Sequence, residues 1–298
     1  MRLMFEEVRK NKIKSGVLIF LFILIITNLG GVIGFIYGNM YVGIVFALII
    51  SIIYFLFSYF FGDKSILKTA GAREVTKKEY PHLFHTIEGL AISAGIPKPH
   101  AYVIDDSALN AFATGRNPKN ASITITTGLL KKMNRQELEG VVAHEMSHIK
   151  NYDVRFMMLV VMLVGLVTLL SDFMFRSFIF GGHGKSRKDS KVSGVIILIA
   201  VVLAILSPII GQIIRFSINR KREFMADANA AVLTRYPPGL ASSLKKIMKD
   251  PDPLVDKANK ATAHLFISTP FRKEHGIVSS LFLTHPPLEE RIKRLEEM

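Results

Sequence analysis

A chain of 298 residues in which 50% are hydrophobic and 21% charged, with a mean hydropathy of +0.33, is too apolar for a disordered or an ordinary soluble protein. It has no cysteine, which excludes disulfide frameworks, thiolate metal sites and cysteine nucleophiles and leaves imidazole and carboxylate as the groups able to hold a metal. The formal charge of +14 comes without tryptophan and without basic runs interleaved with aromatics, a pattern that points away from nucleic acid and toward the anionic head groups of a lipid bilayer.

After a basic head carrying Arg2, Arg9, Lys10, Lys12 and Lys14, residues 16–37 are uncharged and rich in Ile, Leu, Phe, Val and Gly. A helix of that length, at about 1.5 Å per residue, crosses a bilayer core. No small-x-small cleavage site ends the stretch, so it reads as a retained anchor and not as a signal peptide. Tyr41 to Phe61 repeats the pattern. Gly30, Gly34 and Gly38, spaced by four, offer a small-residue seam for close helix packing, or simply reflect the glycine tolerance of membrane helices. The charged head, the uncharged link between the two segments, and Lys64 and Lys68 after them put the N-terminus and residues 62–155 in the cytoplasm by the positive-inside rule.

In that polar region Pro81 to Ala94 reads as an amphipathic helix, with Leu83, Ile87, Leu90 and Ala91 at helical spacing. Ala101 to Ile104 and Ala121 to Thr126 read as short strands. Asn134 with Glu137 forms a capping-box start, and Leu138, Val141, Val142 and Ile149 give an apolar face to a helix ending near Lys150. Within it stands His144-Glu145-Met146-Ser147-His148, an H-E-x-x-H run whose two imidazoles lie one turn apart on the same face and aim at one point. Imidazole nitrogens without thiolates suit zinc, and Glu145, about 100° around the helix, reaches a water on the metal without ligating it.

Two further apolar stretches follow, Phe156 to Phe180 and Val192 to Phe216. The first contains Asp172 and Arg176, an i,i+4 pair that neutralises itself, lines a polar cavity or snorkels to a membrane surface; the second contains Pro208, which kinks a helix. The loop between them, Gly181 to Lys191, carries Lys185, Arg187, Lys188 and Lys191, which would face outward if both stretches cross. Either that loop is an exception to the charge rule or the pair is a hairpin that does not fully span. Zero or two crossings both return residues 217–298 to the side of residues 62–155, so the polar parts form one domain interrupted by a hydrophobic hairpin.

A catalytic zinc needs a third protein ligand. The candidate is Glu223 in Arg220-Lys221-Arg222-Glu223-Phe224-Met225-Ala226-Asp227, a helical stretch leaving the last apolar segment. Asp227, four residues on, shares its face, so one carboxylate can bind the metal while the other orients a ligand imidazole through its ring N–H. His148 is eight residues before Phe156 and Glu223 seven after Phe216, which puts the metal roughly 10 Å from the membrane surface.

H-E-x-x-H, then R-x-E-F-x-A-D after a hydrophobic hairpin, then T-H-P-P-L-E-E-R-I over 284–292, resembles the HtpX family of membrane zinc metallopeptidases, which share parts of the pattern with prenyl-protein and mitochondrial proteases. The resemblance runs over almost the whole chain. It implies an α+β fold: a mainly helical membrane protein whose zincin-like catalytic domain contains a small β-sheet. It implies one zinc per chain on His144, His148 and Glu223, with Glu145 as general base and Asp227 behind a motif histidine. Ser107-Ala108-Leu109-Asn110-Ala111-Phe112-Ala113 resembles the family's N-A-F-A stretch, with one extra residue before the asparagine; this implies Asn110 beside the substrate and Ala121 to Thr126 as the edge strand that pairs with it. His285 resembles the prenyl-protease histidine that stabilises the transition state. Alternatively Asn110 is a turn former and His285 merely precedes a proline-started helix.

The activity implied is peptide-bond hydrolysis by a cell-membrane endopeptidase acting on polypeptides, chiefly misfolded membrane proteins. A prenyl-protein endoprotease needs a lipid chamber for which four candidate spans are too few, and a non-enzymatic scaffold leaves the histidine and carboxylate pattern unexplained. Residues 1–61, 62–155, 156–216 and 217–298 then divide into membrane, catalytic, membrane and catalytic parts. His82, His85, His100, His183, His264 and His275 have no ligand spacing and read as ordinary surface or core histidines.

Overall fold

The computed structural model describes residues 2–36, 38–163, 165–166, 220–250, 266–267 and 286–298. The first two apolar segments form long helices, α1 (Arg2–Ile36) and α2 (Met40–Thr69). They meet along a glycine seam: a Cβ on Gly30 would lie 2.1 Å from that of Ala47, and one on Gly43 would lie 2.2 Å from the Gly30 carbonyl oxygen. Gly34 also lies in this contact, but Gly38 does not, because α1 has ended and Gly38 serves the turn with φ +96°. The outer faces stay uncovered, with Phe20 65%, Phe35 72% and Phe46 65% exposed. The apolar windows Val8–Val32 and Met40–Thr69 are only 24% and 11% buried, whereas a core helix of a soluble protein would be covered; both helices are long and apolar enough to cross a membrane.

The polar region begins with β1 (Arg73–Glu74), α3 (Pro81–Ala94), β2 (His100–Ile104), β3 (Ala111–Asn117) and β4 (Asn120–Thr126), then α4 (Thr127–Lys132) and α5 (Arg135–Lys150). The four strands form one sheet in the order β1-β2-β4-β3, with β2 and β4 parallel and the outer pairs antiparallel. This corrects the expected edge. Ala121 to Thr126 lies in β4, which is flanked on both sides; the outer strands are β1 and β3, and the one beside β4 is β3, whose small residues Ala111, Ala113 and Gly115 give no strand signal of their own. β3 is extended because its backbone closes a two-residue hairpin onto β4 and its side chains are buried.

The metal-motif helix α5 starts with the anticipated capping box: the Glu137 amide donates to Asn134 Oδ1 at 3.0 Å, and the Asn134 amide to Glu137 Oε2 at 2.8 Å. After a two-residue break, α6 (153–163) leads into the first of the later apolar stretches. The rest of that pair, with Asp172, Arg176, Pro208 and the loop 181–191, lies outside the described residues. The chain is described again in α7 (Arg220–Thr234), α8 (Pro237–Met248) and α9 (Leu288–Glu296). Ile123, Ile125, Val141, Val142 and Met146 share one buried cluster with Ala230, Leu244 and Leu295, so residues before and after the two later apolar stretches build a single core.

Candidate metal centre

α5 buries its motif almost completely; His144 is 1% exposed, Glu145 3% and His148 8%. The neighbouring α7 brings Glu223 to the same point. His148 Nε2 stands 3.2 Å from His144 Nε2, and the Glu223 carboxylate oxygens stand 3.7 Å from each of those nitrogens. A tetrahedral ion with bonds of about 2.0–2.1 Å separates its ligands by about 3.4 Å. The donor set therefore fits a metal ion, and one ligand atom from each residue lies within 4.8 Å of the other two.

The second nitrogen of each ring supports this assignment. His144 Nδ1 lies 2.9 Å from Asp227 Oδ1, and His148 Nδ1 lies 3.0 Å from Asp153 Oδ2. Carboxylates at Nδ1 hold the ring proton there and leave Nε2 free to ligate. Asp227 is itself clamped by Arg291 of α9, through Nε to Oδ2 at 2.8 Å and Nη2 to Oδ1 at 2.7 Å. Arg291 is fully buried.

These charges pull the two histidines apart. Burial and the adjacent Arg291 guanidinium push His144 down to about 4 despite Asp227. Burial also disfavours charge on His148, but the Asp153 hydrogen bond and the carboxylates of Glu223, Asp153 and Glu145 outweigh it and push His148 up to about 9. Burial alone would raise Asp227; the Arg291 charge and its hydrogen bonds instead hold it well below the usual carboxylate range.

The predicted residues thus divide into three groups. His144, Glu145, His148, Glu223 and Asp227 are brought together. Asn110 is buried at the head of β3, where its Oδ1 accepts from the Ala111 amide at 3.1 Å. His285 lies outside the described residues. Two residues escaped the sequence reading. Asp153 follows the motif by five positions, beyond the break in α5, and no helical period links it to His148. Arg291 stood inside the quoted T-H-P-P-L-E-E-R-I run, where an arginine among charged residues reads as surface; only its packing against Asp227 shows otherwise.

Two imidazoles one helical turn apart, with a glutamate from a second helix and a glutamate between them, define an H-E-x-x-H metalloprotease whose third donor at the metal point is a carboxylate. The chain belongs to peptidase family M48, whose family model matches residues 77–298. It is 44% identical to the Protease HtpX homolog of Dictyoglomus turgidum over 99% of this chain and 94% of that one. It is 43% identical to the homolog of Caldanaerobacter subterraneus, covering 100% and 98%, and 40% identical to that of Tropheryma whipplei, covering 99% of each. The crystal structure of S. mikatae Ste24p is similar at a TM-score of 0.48 and 20% identity, covering 97% of this chain and 66% of that one.

Proposed function

We propose that the protein is a zinc endopeptidase of the cell membrane in which His144, His148 and Glu223 are the metal ligands and Glu145 is the general base. The convergence of three buried donor atoms, with a carboxylate behind each imidazole, carries this reading. A zinc ion held there supplies Lewis acidity to a peptide carbonyl and acidifies a water. Glu145 takes the proton of the attacking water and delivers it to the leaving amine. Asp227 and Asp153 hold the ligand rings in one tautomer, and the Arg291 charge keeps Asp227 ionised. We assign His285 to oxyanion stabilisation and Asn110 to holding the start of the strand along which substrate lies.

The substrate segment adds in extended form to β3, one of the two outer strands of the sheet, which makes recognition backbone-directed and weakly sequence-selective. Its surroundings favour membrane-protein substrates. Arg116 of β3 donates to the Phe60 carbonyl at 3.3 Å and lies over the Phe60 ring, so the strand sits against the end of a lipid-facing helix. Residues 62–155 and 217–298 form the catalytic domain on the cytoplasmic face, residues 1–61 and 156–216 the membrane part, and misfolded membrane proteins are the substrate class.

The test is cleavage of an unfolded protein by the wild type and Glu145→Gln, each stripped of metal in detergent and reloaded with zinc. Zinc-dependent cleavage by wild type and its loss in Glu145→Gln, with zinc binding retained, are expected. A Glu145→Gln enzyme cleaving at the wild-type rate overturns the assignment. In vesicles, cleavage of a soluble unfolded protein as fast as of a membrane-tethered one overturns the substrate class.

A further inference from the structure

The first apolar helix reaches the metal centre. Asn11 is 1% exposed, on a helix whose head is otherwise basic, and its side-chain amide donates to Asp153 Oδ1 at 2.6 Å and to the Asn151 carbonyl at 3.0 Å. The opposite oxygen of that carboxylate faces His148 Nδ1 at 3.0 Å, and Arg222 Nη1 adds a contact to Oδ1 at 3.3 Å. A buried asparagine 142 residues away in sequence therefore fixes the carboxylate that orients a motif histidine.

A second contact points the same way. Tyr152, in the break between α5 and α6, has φ +60°, a left-handed conformation that is costly for a tyrosine and persists only where its surroundings impose it. Lys12, next to Asn11, places its ammonium 4.6 Å from the centre of the Tyr152 ring. Leu18, farther along α1, packs with Phe156, Leu159 and Val160 of α6. One face of α1 thus grips the Asn151 carbonyl, the Tyr152 ring, the Asp153 carboxylate and the following helix, which is the turn that returns Asp153 to His148.

We propose that Asn11 is a positioning residue of the metal centre, so that the seating of the first membrane helix against the α5–α6 turn sets the affinity and geometry of the metal site. The inference rests on His148 being a ligand. It adds that the membrane anchor is part of the site and not merely a tether.

The test uses full-length protein in detergent, with zinc affinity read by competition with a chromophoric chelator and ligand geometry by the visible spectrum of the cobalt(II)-loaded form. Asn11→Leu keeps the volume and removes the amide; a loss of about tenfold or more in zinc affinity and an altered cobalt spectrum are expected. Asn28→Ala, on the same helix with its amide bonded only within the helix, keeps wild-type affinity. If Asn11 acts through Asp153, Asn11→Leu with Asp153→Ala binds zinc no more weakly than Asp153→Ala alone, whereas a general packing defect adds its loss. Additive losses, or wild-type affinity and spectrum in Asn11→Leu, overturn the proposal. Should that variant not fold, Asn11→Ser, too short to reach Asp153, is read in the same way. Absence of zinc binding in wild type overturns the ligand assignment itself, and binding unaffected by His148→Ala does the same, so the two failures are distinct.

Discussion

His144 and His148 stand one helical turn apart yet face opposite electrostatics, and the difference has a measurable consequence. With His148 near 9 and His144 near 4, the metal-free protein at pH 7 carries a proton on His148 that zinc must displace. Binding is expected to release about one proton per ion at pH 7, and affinity to rise up to about tenfold per pH unit until it levels near pH 9. The sign follows from the raised value: the protonated form is the stable metal-free form below pH 9, and raising the pH removes the competitor. Calorimetry in two buffers of different ionisation enthalpy counts the protons, and zero release contradicts the assignment. Arg291 offers a second test. Arg291→Met leaves the buried Asp227 charge without its guanidinium partner, facing only the His144 ring at 2.9 Å, and is expected to destabilise the metal-free protein by about 3–5 kcal/mol in denaturant unfolding. Adding Asp227→Leu removes that buried charge and should recover much of the loss.

The motif helix α5 owes its placement to contacts with two neighbouring helices. Against α8 it uses close backbone approach: a Cβ on Gly140 would lie 2.7 Å from the Leu240 amide nitrogen, and one on Gly239 would lie 2.6 Å from the Gln136 carbonyl. Lys246 and Ser242 of α8 bind Glu137 at 2.6 and 2.7 Å, so the residue that caps α5 also anchors it. Toward α7, Asn229 donates to the Ser147 hydroxyl at 3.0 Å. Gly140→Ala is therefore expected to cost about 1–3 kcal/mol, since only backbone movement relieves the contact. Gly89→Ala is the matched control. That glycine lies within α3, where an added Cβ meets nothing within 4 Å, and alanine should stabilise by about 0.5–1 kcal/mol. Thermal unfolding of both variants checks the pair; a neutral Gly140→Ala would mean that the α5–α8 contact is looser than its geometry.

At the scale of the whole molecule, the candidate metal centre and the long apolar helices are not separate modules. α2 and α6 are joined by the Tyr54 hydroxyl donating to the Met162 carbonyl at 2.6 Å, and Met158 of α6 packs with Ile66 and Leu67 of α2. α1 supplies Asn11 to the centre, and β3 is tied to Phe60 of α2 by Arg116. The lack of cysteine makes the proposed orientation easy to test. Lys98→Cys, in an exposed loop of the polar domain, is expected to resist a membrane-impermeant maleimide in intact cells and to react in inverted vesicles. Tyr41→Cys, at the turn between the two spans and 80% exposed, should show the reverse. The opposite labelling pattern overturns the cytoplasmic placement.

Local signals carried much of this in the sequence. The first two apolar runs, too long for a core helix, the Asn134–Glu137 capping box and two histidines four apart are each set by short-range chemistry, and all three appear in the fold as read. Glu223 and Asp227 were legible because they too lie four apart on one helix. What the sequence could not determine was pairing at a distance. β3 has small residues that form a strand only because β4 lies beside it, so the outer strand was assigned to β4. Asp153, Arg291 and Asn11 each read as ordinary polar residues, since a carboxylate, a guanidinium or an amide shows its partner only once burial removes water as the competing one. The H-E-x-x-H helix aims two nitrogens at a point by its own geometry, but the third donor, the carboxylates behind the rings and the membrane helix that braces them come from separate parts of the chain, and only tertiary packing joins them.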